Sequence, residues 1–433
     1  MRIWSPLLML QLFVAYKFRL SHAEGYFRDY NEYQKAGIPS LTKCGKVHLT
    51  VSSLPDRYIE MNWITKCDTL DEVPDFISLY SQDPRTPVKP LEAINAHHYE
   101  GYFRTSIKFG SPWLPGEWDY YDNITNAKPG SHCFPFWIAS VKRNRIIDLN
   151  CLKIQPTWMD DNRCVLAPQR IGSVFIPGTH NSGAYGGTNG FLEKYILNQN
   201  MDLWAQLVFG VRYLDLRIGY YQNEGFYINH DLVRISKLEP LLRTIRHFLE
   251  LAPKEVIIID FHRFPYPTNF NDGIHRKLVE ILYKELGQLA LPSSGLQAGK
   301  GPTFEEIWQR GKNLIICYGN RQTAKENPWL WNPLQQYWGD KKNVNDLKSY
   351  LQSSIKDHNT ISNPLWALMA ELTISSLDVV FHSASNAKLA DKVNRELTKW
   401  FRDEWPRVPN IVATDYFLGN DLIEIAIEAN KIR

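Results

Sequence analysis

From residue 44 onward the chain changes its hydrophobic rhythm once. Between Cys44 and Met159 apolar positions fall in short runs: Val47–Ser52, Tyr58–Ile64, Asp75–Tyr80, Tyr102–Ile107, Phe134–Val141 and Ile146–Ile154. Turn residues separate them, among them Asp83-Pro84, Gly110-Ser111-Pro112, Pro115-Gly116 and Lys128-Pro129-Gly130. Many short strands without a long helical stretch predict an antiparallel sandwich. After about Val165 strand-like runs alternate with helical ones. The strands are expected at Ser173–Ile176, Val211–Leu216, Phe226–Asn229, Val256–Phe261, Asn313–Tyr318, Trp366–Leu372 and Ile411–Phe417. Helices are expected over Glu193–Val208, Leu238–Leu251, Ile274–Leu286, Val344–Ser354, Ala387–Phe401 and Leu422–Ala429. Alternating β and α units predict a parallel sheet, and the length of this half suits a distorted (β/α) TIM-like barrel. The fold class is therefore α/β, with a smaller β-sandwich over 24–164 preceding a barrel over 165–433.

The first 23 residues follow neither rhythm. Arg2 opens a short basic start, Ser5–Tyr16 is apolar, and Ser21-His22-Ala23 offers small residues for cleavage, so 1–23 reads as a signal peptide and the chain as secreted. Lys17 and Arg19 after the apolar run leave a short membrane anchor open. Asn123-Ile124-Thr125 adds a glycosylation acceptor at Asn123 in a polar, turn-rich stretch. Six cysteines suit disulfides in an oxidising compartment. Five precede residue 165, which makes the first half the stapled half, whereas Cys317 in its apolar run reads equally as a buried thiol. No close Cys-x-x-Cys spacing argues for zinc.

Charge narrows the partners. Lys and Arg number 49 against 46 Asp and Glu. The whole excess lies in the first 23 residues, through Arg2, Lys17 and Arg19. A balanced body lacks the basic field that releases phosphate counterions, so nucleic acid is excluded as a partner. A monomer is expected.

In a (β/α) barrel, chemistry sits at the carboxyl ends of the strands. Here those ends read Ile176–Gly183 (IPGTHNSG), Val211–Arg217 (VRYLDLR), Asn229-His230-Asp231 and Ala413-Thr414-Asp415. Any one strand-end histidine or aspartate is ordinarily structural, but four strand ends all bearing ionisable groups suggest a site. Two histidines, an arginine and two carboxylates suit cleavage of a phosphodiester. One neutral His takes a proton from the attacking hydroxyl, and a protonated one donates to the leaving oxygen. The Arg fork meets the developing phosphate charge, and a carboxylate behind a His fixes its tautomer.

Through IPGTHNSG, VRYLDLR, Asn229-His230-Asp231 and Val256–Phe261 (VIIIDF) the chain resembles the phosphatidylinositol-specific phospholipase C X-domain family over about 165–433. It is most similar to the X-domain-containing members without calcium- or membrane-targeting modules. The resemblance implies a phosphoric diester hydrolase acting on an inositol phospholipid, or a glycan-linked derivative, at a membrane surface. It makes His180 the general base, His230 the general acid, Asp415 the orienter of His180, and Asp215 the holder of Arg217. It places Asn181 toward the inositol or phosphate region and His262 among the substrate-binding residues; Glu371 and Thr373 suit ring hydroxyls, and Glu371 reads equally as a barrel-rim ion pair. Calcium-dependent members carry acids where Arg217 and His262 stand, and a calcium cage needs about six to eight oxygens. Arg217 sits where the metal-free bacterial enzymes have arginine, so no metal or other cofactor is expected. Asn181 stands where bacterial enzymes have Asp, and Cys317-Tyr318 where they have an inositol-binding Arg. Two alternatives stay open: a catalytically weak lipid- or inositol-phosphate-binding relative, and a metal-dependent phosphodiesterase, whose acidic cluster is not visible around His180. Aromatic loops at Phe261–Phe270 and Pro328–Trp338 suit a lipid interface or ordinary packing.

Overall fold

Seven strands precede residue 155: β1 (Val47–Val51), β2 (Tyr58–Trp63), β3 (Phe76–Tyr80), β4 (Glu92–Asn95), β5 (Tyr102–Lys108), β6 (His132–Lys142) and β7 (Arg145–Ile154). The computed structural model describes residues 43–69, 72–119, 126–186, 193–296, 299–358, 364–375, 384–407 and 409–432. The signal segment 1–23 and Asn123 lie outside them. Six of the seven strands match the apolar runs. The seventh, β4, has one buried residue, Ile94, and shows no run. The strands form two antiparallel sheets, ordered β1-β2-β5 and β4-β3-β6-β7. Val47, Leu49, Val51, Ile59 and Met61 of the first share one apolar cluster with Ile77, Leu79, Ile138 and Ile154 of the second. Disulfides join Cys44 to Cys67 and Cys133 to Cys151. Both lie in the first half, as expected. Cys164 is a free, exposed thiol and Cys317 a free, buried one, so the even count does not become three bridges.

Nine strands follow: β8 (Ile176–Thr179), β9 (Tyr213–Tyr221), β10 (Gly225–His230), β11 (Val233–Lys237), β12 (Ile257–Tyr266), β13 (Leu314–Tyr318), β14 (Gln335–Tyr337), β15 (Trp366–Met369) and β16 (Ile411–Thr414). Seven are parallel, in the order β14-β15-β16-β8-β9-β12-β13. Among the described residues no ladder joins β13 to β14; an isolated bridge, Cys317 to Trp331, lies at that seam. The architecture is thus mixed α/β with a parallel sheet that the ladders do not close. Two expectations change. The run Ser173–Ile176 starts too early, because Ile171–Ser173 is a 3-10 turn and β8 begins at Ile176. The segment ending in His230 is antiparallel, since β10 returns along an unusually long β9 with Ile228 opposite Ile218.

Alternation along each parallel strand sorts its residues onto two faces. Ile176, Tyr213, Ile258, Ile315, Ala367, Met369, Ile411 and Ala413 meet in one cluster, so one face of six strands points into a shared interior. Their neighbours Leu214, Leu216, Ile257, Ile259 and Phe261 pack outward, against Leu242 and Ile245 of the helix Leu238–Leu251. Trp366, Leu368 and Val412 pack against Leu389, Val393 and Leu397 of the helix Asn386–Lys399. Gly178 is required by this interior, because a Cβ there would stand 2.6 Å from the Tyr213 ring.

The two halves share their core. Phe134 of β6 stacks on Phe209 at 5.5 Å, Phe209 meets Phe417, and Trp118 packs on Trp204 and Phe248. Behind them lies a buried ion pair. Arg212 and Glu255 have no exposed side-chain surface, and Arg212 Nη2 lies 2.7 Å from Glu255 Oε2. Arg212 also donates to the carbonyls of Pro156, Leu207 and Val211, while Glu255 accepts the Met159 and Asp160 N–H groups. Every charge is answered, which is the condition for burying such a pair without heavy cost. Glu255→Gln leaves Arg212 buried without its counter-charge. We expect a loss of about 3–5 kcal/mol, read from the urea midpoint; a loss below about 1 kcal/mol would show that the carbonyls alone suffice.

Candidate active site

The inward parity of the parallel strands continues past their apolar residues. Gly178 is followed by His180, Tyr213 by Asp215 and Arg217, Ile258 by Asp260 and His262, Met369 by Glu371 and Thr373, and Ala413 by Asp415. Paired strands keep these residues level: Asp260 lies beside Asp215 and beside Cys317 in register. A sequence that is apolar at the amino ends of its strands and ionisable at the carboxyl ends therefore builds one charged layer over a dry interior. His230 arrives by the other route, carried back to the same rim by the β9–β10 hairpin.

These groups line a cavity of about 640 Å³, whose wall includes His180, Arg217, His230, His262, Glu371, Thr373 and Asp415. His180 Nδ1 lies 2.8 Å from Asp415 Oδ1, and Arg217 Nη2 lies 2.9 Å from His180 Nε2. A guanidinium only donates, so Nε2 accepts and Nδ1 carries its proton toward Asp415. That tautomer is the one a general base needs. Asn198 donates to the other Asp415 oxygen at 3.0 Å. His230 Nδ1 lies 2.6 Å from the Ile196 carbonyl, which leaves Nε2 as the working nitrogen.

Asp215 is fully buried beneath the cavity. Its Oδ2 accepts the Asn181 N–H at 3.0 Å and lies 3.5 Å from Arg217 Nη2, and its Oδ1 lies 3.3 Å from Gln336 Nε2. Asn181 presents that N–H from a left-handed turn, φ +43°. Its side chain points to Asn198 at 3.1 Å, and Asn181 does not line the cavity. The expectation of an inositol contact from Asn181 thus meets a residue turned into the wall, because the IPGTHNSG turn spends its amide on shaping the loop. His262 lies in the cavity wall, 3.5 Å from Asp260 Oδ2. Glu371 is 3% exposed, and among the described residues neither of its carboxylate oxygens has a hydrogen-bond partner.

Charge sets the protonation of the group. Burial alone would depress His180, but Glu371 and Asp415 together outweigh it and Arg217, so its pKa lies above the ordinary histidine value. Burial, with His180 and Arg217 nearby, holds His230 below that value despite the Ile196 carbonyl. Burial pushes the Glu371 carboxyl up to about 7. Burial would also raise Asp215, yet Arg217, His180 and His262 bring it below the usual carboxylate range. Asp260, with burial dominant, is raised.

Sequence reading missed Gln336 and Asn198. Gln336 Nε2 reaches Tyr213 Oη at 2.9 Å, Asp260 Oδ2 at 3.0 Å and Asp215. It stands on β14, three residues long and without alternation, so no pattern marked it. Asn198 lies in a break between the helices Glu193–Ile196 and Leu203–Phe209, where one continuous helix was expected. Of the aromatic loops, Phe264 and Phe270 pack inward on His275. Tyr266 (40% exposed) and Trp338 (43%) stay at the surface, and Trp338 lines the cavity beneath the Arg263 guanidinium.

A cavity flanked by two histidines and an arginine, raised on a parallel α/β sheet, has relatives. The PI-PLC X family matches residues 166–430, well over half of the chain, and the chain belongs to that family. The human PI-PLC X domain-containing protein 1 is 25% identical over 248 residues, 55% of this chain and 73% of its own length. The mouse PI-PLC X domain-containing protein 3 is 26% identical over 250 residues, 56% of this chain and 75% of its own. Among solved structures, a mutant phosphatidylinositol-specific phospholipase C from Staphylococcus aureus aligns with TM-score 0.49 and 17% identity, over 63% of this chain and 97% of its own. The Listeria monocytogenes enzyme gives TM-score 0.48 and 19% identity, over 63% and 98%. The two antiparallel sheets before residue 155 lie outside the matched region.

Glu371 is the first carboxylate that raises His180, so Glu371→Gln should lower the pKa of His180. In an NMR titration the His180 ring resonances of the variant should move to lower pH than in wild type. An unchanged titration would mean that Asp415 alone sets the basicity of His180.

Proposed function

We propose that this protein is a phosphoric diester hydrolase that cleaves an inositol phospholipid, or a glycan-linked derivative, by His/His general acid–base catalysis without a metal. The observation that carries the reading is His180, with Asp415 on Nδ1 and Arg217 on Nε2, sharing one cavity with His230. As the lipid phosphate enters, the Arg217 fork turns from His180 to the phosphate oxygens. Nε2 of His180 is then free to take the proton of the inositol 2-hydroxyl. The hydroxyl oxygen bonds to phosphorus, the bond from phosphorus to the glycerol oxygen breaks, and protonated His230 gives its proton to that oxygen. The products are a cyclic inositol phosphate and diacylglycerol. Arg217 answers the growing phosphate charge with a fixed positive one, and Asp215 holds it in place. Glu371, Thr373 and His262 are offered to the inositol ring. Tyr266 and Trp338 suit contact with the membrane interface beside the cavity mouth. The two disulfides fit an extracellular site of action, with 1–23 as a cleaved signal peptide and Asn123 as a glycosylation site. In this reading the first half is a β-sandwich domain joined to a distorted barrel at about residue 165.

A second reading, a binding relative with poor turnover, is favoured by one observation: His230 rests on a backbone carbonyl rather than a carboxylate. A carbonyl stabilises the imidazolium less than a carboxylate does, and His230 already lies below the ordinary histidine value.

Purified protein tests both readings. Release of cyclic inositol phosphate from phosphatidylinositol vesicles supports the first; binding to the vesicles without release supports the second. His180→Ala and His230→Ala should each lose about 10²–10⁴-fold in kcat. Because the base is raised and the acid depressed, only a minor fraction of the protein holds His180 neutral and His230 protonated together, so kcat/KM should follow a bell with a lowered maximum. Its low-pH inflection should fall at the His230 value and its high-pH inflection at the His180 value.

Fixed positive charge in place of a cation gives a separate test. Turnover should be the same in EDTA and in added calcium. Arg217→Asp should cost about 10²–10³-fold, as loss of a comparable transition-state donor does. Turnover abolished by chelation and restored by calcium would overturn the metal-free mechanism.

A further inference from the structure

The Asp415 carboxylate reaches His180 from the first residue after β16, and the chain turns sharply behind it. Tyr416 takes the left-handed conformation, φ +48° and ψ +59°, which for a residue with a side chain costs roughly 1–3 kcal/mol and persists only where its surroundings hold it. What holds it lies behind the cavity. Asn394, 2% exposed on the helix Asn386–Lys399, directs its amide nitrogen at the Asp415 and Tyr416 carbonyls, each at 3.1 Å. The same nitrogen lies 3.2 Å from Ser53 Oγ, just beyond β1. Its oxygen accepts from Asn420 at 3.1 Å, and Asn420 also donates to Thr414 Oγ1. Asn394 thus grips the chain on both sides of the turn.

The first half closes this grip from outside. Ser52 Oγ donates to Asp391 at 3.0 Å, one helical turn before Asn394. Arg104 of β5 spans Asp391 and Glu60 of β2, at 2.8 Å each. The approach at Gly419 is close: a Cβ there would stand 2.6 Å from Asn394 Nδ2 and 2.7 Å from Ser53 Oγ. Neither Asn394 nor Ser53 lines the active-site cavity.

We propose that Asn394 is a positioning residue for the Asp415–His180 pair, and that the antiparallel half of the chain, through Ser53, is the back wall that fixes it. This rests on the role assigned to His180 under the proposed function, and it gives the first half a task in that reaction. Removing the Asn394 amide takes the side-chain donor from the Asp415 carbonyl and leaves the Tyr416 carbonyl with the Gly419 N–H alone, at 2.9 Å, so the turn relaxes. Asp415 then drifts from His180 Nδ1, and the base loses both its orientation and part of its basicity.

The test uses the full chain carrying N394A, G419A or S53A, with folding followed by circular dichroism. N394A and G419A should lower kcat on phosphatidylinositol vesicles about 10–100-fold, as small misplacements of a catalytic group do. KM should stay near wild type, because neither residue meets the substrate. S53A, which keeps the amide on both carbonyls, should fall between wild type and N394A. In parallel, NMR of the substrate-free protein should show the His180 titration moved to lower pH and its Nδ1 proton signal shifted or broadened. A residue that served stability alone would lower the melting temperature and leave the His180 signals in place. Folded N394A and G419A with wild-type His180 titration and wild-type kcat would overturn the proposal. If N394A does not fold, G419A and S53A decide by the same criteria. If wild type cleaves no inositol lipid, the hydrolase reading fails, while the NMR comparison still decides whether Asn394 positions the pair.

Discussion

Asp215 carries its charge with no exposed surface, and the candidate site is arranged around the answer to it. An isolated carboxylate in a dry interior would simply take up a proton. Here the Asn181 N–H, the Arg217 guanidinium and the Gln336 amide meet it instead. Each of those demands a local sacrifice. Asn181 adopts a left-handed backbone, Arg217 is drawn inward until Nε lies buried with no hydrogen-bond partner among the described residues, and Gln336 is shared with a second buried carboxylate, Asp260. The reward is placement: the Arg217 Nη2 that lies 3.5 Å from Asp215 is the nitrogen that reaches His180. Loss of the Asp215 charge would therefore be felt at the base on the neighbouring strand.

Much of this was legible because parallel strands obey a two-residue repeat. Once Val211–Arg217 and Val256–Phe261 are read as strands, the parity that buries Tyr213 and Ile258 also directs Asp215, Arg217 and Asp260 inward. His180 and Asp415 follow from the same rule. Legibility ended where that repeat ends. Gln336, on a three-residue strand, and Asn198, in a break between two short helices, have no periodic neighbours to announce them. The hairpin was hidden for another reason. β10 is as apolar as a parallel strand, and only the length of β9 and the turn at Asn223, Glu224 and Gly225 distinguish a chain that doubles back. The left-handed positions at Asn181 and Tyr416 were not legible either, since no glycine marks them.

The site also keeps groups in states that water would not allow. Glu371 has no hydrogen-bond partner among the described residues and shares its surroundings with His180, Arg217, Asp215 and Asp415. Such a layer stabilises the fold poorly, and the stability is supplied elsewhere: by the apolar interior beneath it and by the aromatic contacts between the halves.

The pairing of β8 with β16 has a consequence for the order in which the molecule can be made. These strands stand side by side in the sheet, yet His180 and Asp415 are 235 positions apart along the chain. A ribosome must release the chain through Asp415 before the two can meet. The Cys44–Cys67 and Cys133–Cys151 loops span 23 and 18 positions and can close on segments that emerge early. Local contacts precede distant ones, because the entropy of closing a long loop must be overcome first. The nascent chain is thus stapled long before its histidine finds its carboxylate, and the base is born unpaired.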